Sequence, residues 1–181
     1  MMDDCLNQEK ERLKNVELQL DEYKEMNQTY WPFIRRMANM FNISGNVTLS
    51  TLSTLNSDLE CDRYLGRPLP ADFNSDDEKN LKHLDSWYKQ FTFVRDLAKA
   101  VNKDRLNKII NMFDSRLKNP NQTLKWTFLS GHDLDMVPLY NDLNLSTSKC
   151  IEELYRKGQT NALNCEQYPA FAASLIFELY T

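Results

Sequence analysis

His132 and Asp133 are the residues of this sequence best suited to chemistry. An imidazole beside a carboxyl group can divide the work of phosphoryl transfer: the ring holds the phosphoryl oxygens and the acid gives a proton to the leaving oxygen. What recommends the pair is its position. Leu124, Trp126, Phe128 and Ser130 alternate with Lys125, Thr127 and Leu129, an aromatic, β-rich run that predicts a strand ending at Gly131. Val137, Leu139, Tyr140 and Leu143 then recur at helical spacing, with Pro138 tolerable near the first turn. The pair is therefore expected where a strand gives way to a helix. Ligands of open α/β sheets collect there, because helix amino termini offer free N–H groups and a positive dipole end.

Two separated segments extend the argument. Phe128-Leu129-Ser130-Gly131-His132-Asp133 with Val137-Pro138-Leu139, followed by Tyr168-Pro169-Ala170-Phe171-Ala172-Ala173-Ser174-Leu175-Ile176-Phe177-Glu178-Leu179-Tyr180, stand in that order. Together they resemble the carboxyl-terminal part of the histidine acid phosphatases, the two-domain branch of the histidine phosphatase superfamily. The resemblance is specific over about residues 120–181. Over 1–119 it rests on helix order and on Phe33-Ile34 and Asp58-Leu59-Glu60-Cys61. It implies that His132 binds phosphate and Asp133 donates the proton. The enzymes it points to hydrolyse phosphate monoesters at acidic pH through a phosphohistidine, in a secreted or lysosomal setting. It also places Ser174 where the partner of Cys61 would stand, leaving Cys61 free or bonded to Cys5.

The sequence departs from that pattern in two places. It contains no Arg-His-Gly, the family's nucleophile motif, and its only other histidine, His83 in Asn80-Leu81-Lys82-His83-Leu84, reads as a partly exposed helix residue. Leu134 and Asp135 stand where small hydroxyl residues are usual. A carboxylate at 135 either repels phosphate or lies in the first helical turn, facing solvent, where negative charge is favourable. The expectation is a carboxyl-terminal portion that is inactive alone and acts on a phosphate monoester, or binds phosphate, once a missing amino-terminal half or an oligomer partner completes it. The alternatives are a pseudophosphatase and a helical protein-binding module.

The elements that must hold the pair are mostly helical. Leu6, Leu13, Val16, Leu20 and Tyr23 predict a long amphipathic helix over Leu6–Met26; Pro32 restarts a helix through Phe41 that ends at Gly45; and Leu49, Leu52, Leu55 and Leu59 predict a third over Val47–Tyr64. Arg67 lies in a loop over 66–70, where it reads as solvated. Ser75-Asp76-Asp77-Glu78 reads as a capping box opening a helix that turns Leu81, Leu84, Trp87, Tyr88, Phe91 and Val94 inward. A further helix over Lys103–Leu117 is expected to bury Leu106, Ile109, Ile110 and Phe113 before Asn119-Pro120-Asn121 breaks it. Leu175, Phe177 and Leu179 predict a closing strand over Ala173–Tyr180. The fold expected is α/β and histidine-phosphatase-like: a helical cap-like region over 1–119, then the last strands and a helix of the core sheet over 120–181. Two strands make no stable sheet of that kind, so an incomplete domain is expected.

Composition sets the remaining bounds. With 41% hydrophobic residues the chain can bury a core, and a net charge of −4 with scattered lysines gives no basic footprint for nucleic acid. No run is long enough to span a membrane, and Met1-Met2-Asp3-Asp4-Cys5 lacks the basic start and apolar stretch of a signal peptide. Five Asn-x-Ser/Thr triplets, at Asn27, Asn42, Asn46, Asn121 and Asn144, match the N-glycosylation pattern and count only slightly in an asparagine-rich chain. Cys150 and Cys165 bracket a short segment with Gly158 that a disulfide would close if the chain is secreted. Neither the cysteines nor the two distant histidines have metal-ligand spacing, so no metal or cofactor is expected.

Overall fold

In the computed structural model, residues 20–93, 96–119, 121–123, 125–159, 165, 169 and 173–180 are described, with backbone alone at 93, 96–104, 133 and 134. Seven helices make up their regular structure: α1 (Asp21–Thr29), α2 (Trp31–Met40), α3 (Leu49–Tyr64), α4 (Ser75–Phe93), α5 (Asp96–Lys118), α6 (Asp133–Asp142) and α7 (Ser148–Arg156). Of the helix expected over Leu6–Met26, residues 6–19 lie outside the described residues. Local chemistry sets most boundaries. Pro32 enters α2 in its first turn, where its missing N–H costs nothing. That helix stops at Met40, five residues before Gly45, because Asn42 takes the left-handed conformation at φ 52° and the Ile43 amide donates back to the Ala38 carbonyl at 2.8 Å.

The start of α4 differs from the expected Ser75/Glu78 box. Asn74 is the cap: its Oδ1 accepts from the Asp76 and Asp77 amides at 2.9 and 3.0 Å, and its own amide donates to Asp77 Oδ2 at 3.1 Å. The reciprocal geometry is the one a capping box requires, set one residue earlier with Asp in place of Glu. Arg36 of α2 grips the same Asp77 carboxylate with both terminal nitrogens, one at 2.8 Å, and so fixes α2 to the start of α4.

The core gathers around α4. Leu81, Leu84, Trp87 and Phe91 are all at most 2% exposed, and they share one cluster with Met26, Ile34, Met37, Leu52, Leu59, Ile151 and Leu154. Trp87 and Phe91 stack at 4.8 Å. The polar side of α4 is buried as well. Asp85 accepts from Ser53 Oγ at 2.6 Å and Asn56 Nδ2 at 2.8 Å and pairs with Lys89 Nζ at 3.0 Å. A helix apolar on one face and covered on the other is a central helix, and α3, α6 and α7 all pack against it. A disulfide between Cys150 and Cys165, with Cα atoms 5.8 Å apart, ties α7 to the chain beyond it; Cys61 is an exposed free thiol.

Three further expectations are corrected. His83 is buried, 6% exposed, because α7 brings Tyr155 onto it as a stacked ring 3.9 Å away. Ile110 is 46% exposed, since in α5 only Ile109 of that pair is buried. The α/β reading is overturned: among the described residues there is no strand and no sheet. Residues 125–130 and 173–180 carry no regular structure and do not pair. Trp126, Phe128 and Ile176 are 88%, 91% and 73% exposed. An alternating apolar run becomes a strand only where a neighbouring strand supplies hydrogen-bond partners, and the described residues supply none. The claim that 120–181 holds the last strands of a core sheet therefore fails, whereas its helix, α6, is present.

Burial without a partner for Nε2 pushes the His83 pKa down from 6.5 to about 4. An unfolded chain takes up this proton as pH falls through 6.5, while the folded protein resists it until about 4. Stability through His83 is thus complete above 6.5 and declines between 6.5 and 4, at about 1.4 kcal/mol per pH unit. Denaturant unfolding at pH 7.5 and pH 5 is expected to show a loss of about 2 kcal/mol in the native protein that a His83→Phe variant does not show.

A candidate anion site at the start of α6

His132 is the residue immediately before α6, with extended backbone at φ −86° and ψ 161°. That backbone is the non-helical conformation of an N-cap, and it turns the His132 side chain outward, 89% exposed. Asp133 is the first residue of α6; its side chain lies outside the described residues. Val137, 2% exposed, anchors the helix, which packs on α4 and α5. Pro138 stands in the second turn, past the position where a missing N–H is free of cost.

Asp135 organises the site. Its Oδ2 accepts the His132 amide at 2.9 Å, and its Oδ1 meets Arg105 Nη1 of α5 at 2.7 Å. His132 Nδ1 is 4.0 Å from the same carboxylate. Partial burial would raise the Asp135 carboxyl pKa, but the His132 amide and the Arg105 guanidinium outweigh it and hold the group below its ordinary range. The carboxylate is thus in the first turn of the helix, where its charge is matched by the helix dipole and by a cation. Gly131 makes room for it: a Cβ on that residue would come within 2.6 Å of Asp135 Oδ2.

The structure therefore brings His132, Asp135 and Arg105 together at the start of α6, where the dipole end is positive, although the Asp135 amide itself donates to the His132 carbonyl at 2.9 Å. Such a grouping can hold an anion through N–H donors and positive charge, and the imidazole supplies a further donor when protonated. Arg105 had no signal in the sequence, standing in the middle of an ordinary helical repeat. Arg67 is spent on Asp62 at 2.8 Å, and His83 is buried between α4 and α7. An open groove lined by Arg36, Asn39, Met40, Pro70 and Asp72 includes none of these residues, and its arginine is engaged by Asp77.

Among the described residues no cluster of three or more His, Cys, Asp or Glu side chains could hold a metal ion, and no helix is long and apolar enough to cross a membrane. No protein-family model matches the chain, and no curated protein or solved structure matches it either.

Loss of the carboxylate cap in Asp135→Ala is expected to destabilise the protein by about 1 kcal/mol in urea unfolding, with Asp135→Asn costing less because it still accepts the His132 amide. Gly131→Ala should behave like Asp135→Ala, since its methyl group displaces the same oxygen.

Proposed function

We propose that this chain is the carboxyl-terminal portion of a phosphate monoester hydrolase of the histidine acid phosphatase kind. His132 contacts the phosphoryl oxygens, and Asp133 protonates the leaving alcohol as its bond to phosphorus breaks. The observation that carries the reading is the exposed His132 side chain at the amino end of α6, beside Arg105, in a segment whose residues resemble that family's phosphate-binding and proton-donating motif. The phosphoryl group must pass to a nucleophile, and residues 1–181 contain no Arg-His-Gly to provide it. Residues 1–181 alone are therefore inactive; the substrate is a phosphate monoester, and the partner is whatever chain or subunit brings the nucleophile. The setting is secreted or lysosomal, as the resemblance implies.

A second reading is favoured by one contact. Asp135 already takes up charge from Arg105, at 2.7 Å, so a bound phosphate would compete with an internal carboxylate. A site in that condition suits a pseudophosphatase or a helical protein-binding module that holds an anion without turning it over.

The test uses the chain with p-nitrophenyl phosphate and with inorganic phosphate. Residues 1–181 should release no p-nitrophenol. Phosphate at ten times its Kd should raise stability by about 1.4 kcal/mol, an effect that His132→Ala removes. Hydrolysis by this chain that His132→Ala abolishes would contradict the claim that it is inactive alone, and absence of any phosphate effect would contradict both readings of the site.

A further inference from the structure

The number of Asn-x-Ser/Thr triplets decides little by itself, and their places in the fold decide more. With 18 asparagines and 21 serines and threonines in 181 residues, chance gives about 2. The structure separates them. Asn42, Asn121 and Asn144 are all exposed, and each stands in the turn that closes a helix, after α2, α5 and α6. Asn46 is exposed too, but four residues from Asn42 it competes for the same surface. Asn27 is different in kind: it lies inside α1, half-buried, and its Oδ1 is shut off from solvent with no hydrogen-bond partner.

Structural reasons account for part of the pattern only. Asn42 and Asn144 adopt φ 52° and 55°, a conformation that asparagine tolerates better than most residues, and Ser146 is 2% exposed. Those facts explain an asparagine at 42 and 144 and a small hydroxyl residue at 146. They do not explain Ser44, which is exposed, nor the pair Asn121 and Thr123, both exposed with no side-chain partner among the described residues. An independent observation points to the compartment in which such triplets are used. The Cys150–Cys165 disulfide is a bond that persists in oxidising compartments such as the endoplasmic reticulum and is rare in the cytosol.

We propose that Asn42, Asn121 and Asn144 carry N-linked oligosaccharides and that Asn27 does not. The donor is a polyprenyl-diphosphate-linked oligosaccharide. The asparagine Nδ2 forms a bond to the first sugar carbon, the bond from that carbon to the diphosphate oxygen breaks, the polyprenyl diphosphate leaves, and the amide gives up one proton. The product is bulky and needs a surface that the three turns provide. At Asn27 the sugar would have to leave a side-chain amide whose oxygen is enclosed by the helical body. The proposal stands whether or not His132 binds phosphate.

The chain isolated from the cells that make it is treated with an N-glycan amidase in heavy-oxygen water, which converts each modified asparagine to a labelled aspartate, and then with trypsin. Cleavage after Lys24, Arg36, Lys118 and Lys125 puts Asn27, Asn42, Asn121 and Asn144 on four different peptides. Label is expected at Asn42, Asn121 and Asn144 and absent from Asn27. Label at Asn27, or its absence from any of the other three, contradicts the proposal. A second pair of variants separates enzymatic modification from chemical deamidation: Thr123→Ser should retain the label at Asn121 and Thr123→Ala should lose it, and label that survives Thr123→Ala also contradicts the proposal.

Discussion

Burial of both the apolar and the polar face of α4 over residues 83–91 is the constraint on which the rest of the structure depends. Its apolar face, Leu81, Leu84, Trp87 and Phe91, anchors the hydrophobic cluster, but His83, Asp85, Ser86 and Gln90 are buried with it. A buried polar group costs free energy unless a neighbour satisfies it, so the polar face favours the helices that bring it partners. Ser53 and Asn56 of α3 meet Asp85, and the Tyr155 ring of α7 covers His83. Burial pushes the Asp85 carboxyl pKa up, and Lys89, Ser53 and Asn56 pull against that rise. The two titrating groups of α4 thus answer acid in opposite senses. Folded Asp85 accepts a proton more readily than the unfolded chain does, so acid relieves its burial, whereas His83 resists its proton and loses stability.

The same packing assembles the candidate anion site. Arg105 belongs to α5 and His132 to the approach to α6, and both face the Asp135 carboxylate because α6 packs on both α4 and α5 with Val137 as its anchor. Asp135 links the two by ending one hydrogen bond at the His132 amide and one ion pair at Arg105. The ion pair is partly exposed and contributes little to stability by itself. Its consequence is positional: it holds a cation at a helix start. A ligand phosphate would therefore meet donors already in place and one carboxylate that has to yield.

Much of the helical body was legible in the sequence because helical periodicity is local. Leu49, Leu52, Leu55 and Leu59 declare α3, and Leu81, Leu84, Trp87 and Phe91 declare the inward face of α4. What a helix's other face touches is not local. His83 looks exposed until α7 is laid across it, and Arg105 has no distinction until α6 is docked. The cap of α4 was misplaced by one residue because Asn74 and Ser75 are both good caps, and only tertiary contact through Arg36 to Asp77 shows which carboxylate faces inward. The alternation over 125–130 and 173–180 was read as strand because period-2 patterning states what a segment could pair with, not whether a partner is there. The site residues fared between these limits. Helical spacing after Asp133 places His132 at a helix start, while the strand expected to deliver it is a run without regular structure.

The protein is a helical body built around α4, with 125–130 and 173–180 unpaired among the described residues. Amide hydrogen exchange on the intact chain tests it most directly, because a backbone amide is protected only while its hydrogen bond is closed. The predicted result is strongest protection across the middle of α4, and exchange at nearly unfolded rates throughout 125–130 and 173–180. Slow exchange at alternate residues of those two segments, the signature of an edge strand in a ladder, would contradict it.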